Sequence, residues 1–293
     1  MRYFLFMLIL LIAIPLQSFA TDEDETCPPS YFSDPGKHRD TPRNFNRPTR
    51  GVEDRHCDVK HEKLIKHLSA NVEFDFLSKY VWRGLASSKG FVWQPSATLE
   101  FYGFGTTIWG NFVLNDEANQ GQFNEIDFIP YYSTEFHKLS ITPLAVIIYY
   151  PNKNVNSLDY SNKSSVEFRL NLSYPIWKYF DIFTLFAVNA YGTRGSIWFD
   201  FGSGFHYDLL EQLMLHTSIL LGVGDKRFNK NHIADVGTKL NLFEYDLSLT
   251  WKAWKGLSVI PNLSITTIIA PSLRRATTDP NNFVGGVDLK YDF

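Results

Sequence analysis

The sequence predicts an all-β fold: a transmembrane antiparallel β-barrel of about twelve strands behind a polar amino-terminal extension. Three observations carry that expectation. Apolar and polar residues alternate with period two in segments of about ten residues from Val72 onward. The links between segments alternate short and long, and aromatic residues gather at segment ends. A spanning strand needs about 9–11 residues with its apolar row toward lipid, and rings at both interfaces form girdles.

The first twenty residues, MRYFLFMLILLIAIPLQSFA, place Arg2 before an apolar run from Tyr3 to Pro15 and the small-residue site Ser18-Phe19-Ala20. That is the pattern of an export signal cleaved after Ala20, and the run falls short of the roughly 18 apolar residues of a membrane anchor. No Leu-x-x-Cys precedes Cys27, so lipidation is not expected. Residues 21–70 are rich in Pro, Asp, Arg and Asn and lack a sustained apolar period, which predicts a mostly disordered extension with helical tendency near HEKLIKHLSA. Cys27 and Cys57 are the only cysteines. In an oxidising compartment one disulfide is the expected pairing; the alternatives are two free thiols or a weak metal site with His56 and His61. No C-x-x-C-H motif occurs, and neither a cofactor nor a bound metal is expected. The formal net charge is −3 with no basic block, so nucleic acid is not expected as a partner.

The expected strands run from Val72 to Arg83, Gln94 to Gly103, Gly105 to Leu114, Asn124 to Thr134, Leu139 to Tyr150, Ser165 to Pro175, Phe180 to Tyr191, Ser196 to Tyr207, Leu213 to Gly224, Leu240 to Trp251, Gly256 to Ile268 and Asn282 to Phe293. Within the first, Val72, Phe74, Phe76, Tyr80 and Trp82 share one face, and Glu73, Asp75, Lys79 and Arg83 the other. The even-numbered links are short: a tight turn at Phe104, then EFHK, IWKY, DLLEQ and KAWK. The odd-numbered links include GLASSKGFVW, NDEANQGQF, PNKNVNSLDYSNK, DKRFNKNHIADVGTK and IAPSLRRATTDPN, with one short exception around Gly192 to Gly195. Outer-membrane barrels alternate short periplasmic turns with longer external loops in this way. Tyr102, Tyr174, Tyr207, Trp251 and Tyr291 fall at the short-turn ends, and Trp82, Tyr149, Tyr150 and Tyr191 at the others.

If the apolar rows face lipid, the interior receives Glu73, Asp75, Glu100, Glu125, Asp127, Glu167, Asp200, Glu244, Asp246 and Asp288, against Lys79, Arg83, Arg169 and Lys290. A lysine or arginine at mid-membrane on the lipid face would cost about 2–4 kcal/mol, acids somewhat less, which places these charges inside. An acidic excess along a narrow aqueous passage attracts cations. The expected function is therefore passive diffusion of small hydrophilic solutes or ions, with a mild cation preference. The alternative is a closed structural or surface-interaction barrel in which acids pair with Arg83, Arg169 and Lys290. His216-Thr217-Ser218 resembles the His-x-Ser pair of outer-membrane lipid hydrolases, and a base two residues from a nucleophile shares its strand face. Here Ile219 follows where those enzymes carry Asn, so a polar lumen pair is expected rather than catalysis.

SKYVWRG, followed by Pro95, Glu100, TIWGNF, NEIDFIPYY and IIYYPN, resembles the TorF-type porin family. The matching positions are Ser78, Tyr80, Arg83, Gly84, Trp109, Glu125, Asp127, Tyr150 and Pro151, with Leu85-Ala86-Ser87 standing where members often carry Ser-Gln. The resemblance covers mainly the first half of the barrel, and implies an outer-membrane location in a Gram-negative-type bacterium and a pore role without assigning a solute. The closing VGGVDLKYDF places Val287, Leu289, Tyr291 and Phe293 on one row. That row resembles the carboxy-terminal signal read by the barrel assembly machinery, and the last strand is expected to pair with the first near Val72 to close the cylinder. Outer-membrane lipid and that machinery are the expected partners.

Overall fold

A computed structural model describes residues 68–115, 120–152 and 163–293. The export signal, both cysteines and the extension up to residue 67 lie outside the described residues. Fifteen strands appear in chain order: β1 (Leu68–Leu77), β2 (Tyr80–Trp82), β3 (Leu85–Ser88), β4 (Val92–Phe101), β5 (Phe104–Val113), β6 (Gln122–Tyr132), β7 (Thr134–Phe136), β8 (Leu139–Tyr149), β9 (Ser164–Trp177), β10 (Phe180–Tyr191), β11 (Ile197–Leu210), β12 (Leu213–Gly224), β13 (Lys239–Trp254), β14 (Leu257–Ile268) and β15 (Asn281–Asp292). Two short helices, α1 (Lys226–His232) and α2 (Pro271–Ala276), sit in the last two long links.

Thirteen of the strands form one antiparallel sheet that closes on itself. Closure follows from β1 pairing on one side with β4 and on the other with β15, where Val72 opposes Tyr291 and Asp75 opposes Asp288. β6 and β7 both pair with β8 and form one stave interrupted at Ser133, so the barrel has twelve staves, as the alternation predicts. Closure removes the free edges that an open sheet would expose, and every ladder bond is made within the wall.

The outward row is oily. Phe76, Phe128, Phe168, Phe186, Phe199, Phe201, Ile219, Ile265, Phe283 and Leu289 are all exposed on strands. A continuous apolar surface of this kind is foreign to a water-facing sheet and matches hydrocarbon. Tyr102, Tyr174, Tyr207, Trp251 and Tyr291 lie exposed at the short-turn rim, and Tyr149 and Tyr191 at the long-loop rim. Tyr291 and Phe293 pack edge to face with centroids 4.9 Å apart, and the Phe293 amide donates to Ala70 O at 3.0 Å.

The first expected strand is corrected. It begins at Leu68 and ends at Leu77, and Tyr80 to Ser88 form a separate hairpin, β2–β3, outside the wall sheet. Tyr80 is buried and Trp82 packs on Phe228 at 5.7 Å, so neither ring faces lipid and Trp82 is not part of the rim girdle. The reason is visible in the residues. Tyr80-Val81-Trp82 breaks the period of two with three consecutive large apolar side chains, which fits a strand enclosed on both faces. Tyr150 likewise turns away from the rim and packs against an inward apolar patch of Ile129, Leu144, Val146 and Ile148.

Candidate functional site: a charged lumen crossed by a hairpin

Pleating alternates side chains across the wall, so each inward carboxylate follows from its register. Glu73, Asp75, Glu100, Glu125, Asp127, Glu167, Asp200, Glu244, Asp246 and Asp288 all sit on inward rows of β1, β4, β6, β9, β11, β13 and β15. Arg169 and Lys290 share that surface, on β9 and β15. Lys79 and Arg83 do not belong to the wall: they ride on the hairpin, with Lys79 Nζ donating to Asn282 Oδ1 at 3.5 Å. Asp181 on β10 is a further inward, buried carboxylate that the sequence reading omitted, although it alternates with outward Phe180 and Ile182.

The lumen differs between its ends. Toward the short-turn rim the inward positions are polar and half-buried, among them Asn71, Thr98, Asn171, Ser248, Asn262 and Lys290. Toward the long-loop rim the interior is packed. Phe183, Ala187, Trp198, Leu220 and Leu242 from the wall join Phe228 of α1 and Trp82 of the hairpin in one apolar cluster. A second cluster joins Leu77, Tyr80, Val81 and Val92 to Trp109 and Val284. Uncharged amides line the wall between these, with Gln94 Nε2 donating to Asn111 Oδ1 at 2.7 Å and Asn111 Nδ2 to Asn124 Oδ1 at 2.6 Å. Near the short-turn rim, Tyr131 Oη donates to Glu100 Oε2 at 2.9 Å.

The hairpin folds into the interior, and the Arg83 side chain at its tip spans to β9. It leaves the wall after β1, and its turn is Arg83-Gly84, both with positive φ at 48° and 79°. Consecutive left-handed residues make the tight turn whose twist matches a two-residue hairpin, and Gly at the second position removes most of the strain. Gly84 also permits close approach: a Cβ there would lie 2.7 Å from Ile268 Cδ1 and 2.9 Å from Leu242 Cδ1. Its carbonyl accepts from Asn282 Nδ2 at 3.0 Å. The hairpin tip thus rests on β13, β14 and β15.

From that tip Arg83 reaches β9. Its Nη2 donates to Glu167 Oε1 at 2.9 Å and its Nη1 to Glu167 Oε2 at 3.1 Å, while Arg169 Nε donates to the same Oε1. All three side chains are buried. The guanidinium also lies against three ring faces, 4.8 Å from Trp82, 4.9 Å from Trp198 and 5.4 Å from Phe228. Bidentate pairing with a carboxylate and stacking on aromatic faces are the two contacts that arginine makes and lysine cannot. Alternation puts Arg83 and Glu167 inside, but 84 residues separate them and no local pattern signals their pairing.

Glu73, Asp75 and Asp288 bring carboxylate oxygens within 4.8 Å of one another. Asn262 Nδ2 donates to Asp288 Oδ2 at 2.8 Å on one flank of this group. His216 and Ser218 are buried on the inward row of β12, where Ser218 stands opposite Asp246.

No protein-family model matches the chain, and no curated protein does. Among solved structures, a KdgM porin is similar at 10% identity and a TM-score of 0.47, over 76% of this chain and 99% of that one. A NanC porin is similar at 10% identity and a TM-score of 0.44, over 76% and 98%. An outer membrane channel from Pseudomonas putida F1 is similar at 8% identity and a TM-score of 0.44, over 78% and 95%.

Proposed function

We propose that the protein is an outer-membrane channel for passive diffusion of small hydrophilic solutes, with a mild cation preference, whose lumen the β2–β3 hairpin closes. The observation that carries this reading is the charge imbalance inside the wall. Among the described residues, eleven buried or half-buried inward acids, the ten expected from sequence and Asp181, outnumber Arg169, Lys252 and Lys290 of the wall and Arg83 and Lys79 of the hairpin segment. An ionised carboxylate in a dry interior carries a penalty of several kcal/mol. Water and counter-cations in the lumen remove that penalty, and an interior that holds them is a passage. The resemblance to TorF-type porins supports the same reading.

Asp75 and Asp127 test the preference. Under a salt gradient across a planar bilayer, the protein should show a reversal potential of cation-selective sign, and Asp75→Asn with Asp127→Asn should move it toward zero. An unchanged reversal potential in the double variant would remove these residues from selectivity.

The packed long-loop end favours a second reading, a barrel held shut whose loops bind a partner. Brief openings of the folded protein distinguish the channel from this alternative, which requires silence even when the hairpin is cut away.

A further inference from the structure

The place where the Arg83 guanidinium sits is built by residues that do not depend on Arg83. Trp198, on β11, is fixed by its own Nε1 donating to Asp200 Oδ2 at 3.0 Å. It lies flat on the wall because β12 carries Gly222, where a Cβ would come 2.3 Å from the indole. Phe228 is held by its helix: Asp225 caps α1 by accepting from Phe228 N at 2.7 Å and also accepts from Ile197 N at 2.9 Å. Asn229, the next residue, donates to Gly224 O at 3.1 Å and Gly237 O at 2.8 Å and accepts from Asn241 Nδ2 at 2.6 Å. Glu167 keeps a second cation, Arg169, beside it. A carboxylate edge and two fixed ring faces thus surround a slot for one planar cation.

The hairpin that fills the slot is slight by comparison. β2 and β3 have three and four residues and, among the described residues, form a two-stranded sheet of their own. A lone two-stranded hairpin is marginal in water, so its position rests on the contacts of its core and tip. At its base, Lys89 meets Asp279 at 2.8 Å on the surface, where a pair contributes little.

We propose that the slot formed by Glu167, Trp198 and Phe228 is a binding site for guanidinium-bearing solutes, and that Arg83 is its tethered occupant. A solute that presents a planar delocalised cation makes the same two hydrogen bonds to Glu167 and the same ring contacts, and so competes with the hairpin tip. A compact ammonium ion reproduces the charge but neither the fork nor the stacking. The site itself does not require conduction; its use as a gate rests on the channel reading above.

The test removes the tethered ligand and supplies a free one. Arg83→Ala leaves Glu167 paired with Arg169, so the buried carboxylate keeps a counter-charge. Titration calorimetry of the detergent-solubilised full chain with methylguanidinium should give saturable one-to-one binding for Arg83→Ala. The native protein, whose slot is filled, should bind at least tenfold more weakly, as should Arg83→Ala combined with Glu167→Gln. Methylammonium should bind Arg83→Ala several-fold more weakly than methylguanidinium does. Equal binding by the native protein, or binding that survives the loss of Glu167, overturns the site. If Arg83→Ala fails to fold, replacing residues 80–88 by a short Gly-Ser link gives the same titration with the wall slot intact. In bilayers, methylguanidinium should reversibly reduce the Arg83→Ala current. A current that it leaves unchanged overturns the gate and leaves the channel, whereas a silent variant that still binds methylguanidinium overturns the channel and leaves the site.

Discussion

Arg83 and Gly84 show how two adjacent residues set where the hairpin tip sits in the lumen. Arg83 supplies the bond to the far wall, and Gly84 supplies the backbone that aims it. Any side chain at position 84 meets both a left-handed φ of 79° and the methyl group of Ile268. Gly84→Ala should therefore destabilise the hairpin by about 1–2 kcal/mol, from strain and crowding together. Faster cleavage between Lys79 and Lys89 by added trypsin, with the wall staves uncut, is the expected readout. Unchanged protection would show that neighbouring side chains absorb the methyl group. The presence of charges at 83 and 167 inside a barrel is readable from alternation alone, but their contact is not. It depends on a reversal of chain direction that the run of large residues at 80–82 signals only in hindsight.

At the scale of elements, the wall was legible and the infolded links were not. The last strand illustrates the first point: alternation from Gly285 to Phe293 fixes its faces, and its pairing with β1 follows because a closed sheet needs a partner for each edge. β8 illustrates the limit, since TPLAVIIYY is apolar on both rows and period two cannot choose its inward face. The hairpin and helix α1 escape the pattern because their packing is set by the far wall rather than by neighbours in sequence.

Lys89 and Asp279, which join the hairpin base to the last long link, give a pH dependence outside the membrane wall. The hydrogen bond from Lys89 holds the Asp279 carboxyl below the usual aspartate range. Its contribution is fully present above the ordinary aspartate value and fades as pH falls through the depressed one. Both groups are exposed, so the effect is small and weakened by salt. Lys89→Ala should return Asp279 to the ordinary range in a carboxyl-detected magnetic resonance titration, and an unmoved midpoint would assign the depression to another group.

For the whole molecule, a closed barrel with an oily exterior encloses an acidic lumen, and two infolded links, the β2–β3 hairpin and the link that carries α1, pack its long-loop end. At the closing seam Phe293 N bonds to Ala70 O beside the Val72–Tyr291 pair, and we propose that assembly depends on this seam. Deletion of Phe293 should reduce the heat-modifiable, folded species recovered from membranes, and full recovery would refute an assembly role for that ring. On the proposed reading, the lumen conducts once the hairpin no longer occupies it. Single-channel recording of a variant in which residues 80–88 are replaced by a short Gly-Ser link tests this most directly, provided that its heat-modifiable migration shows a folded barrel. Long-lived openings of higher conductance than the brief events of the native protein are predicted. A folded variant that stays silent would contradict the account and identify the protein as a permanently closed barrel.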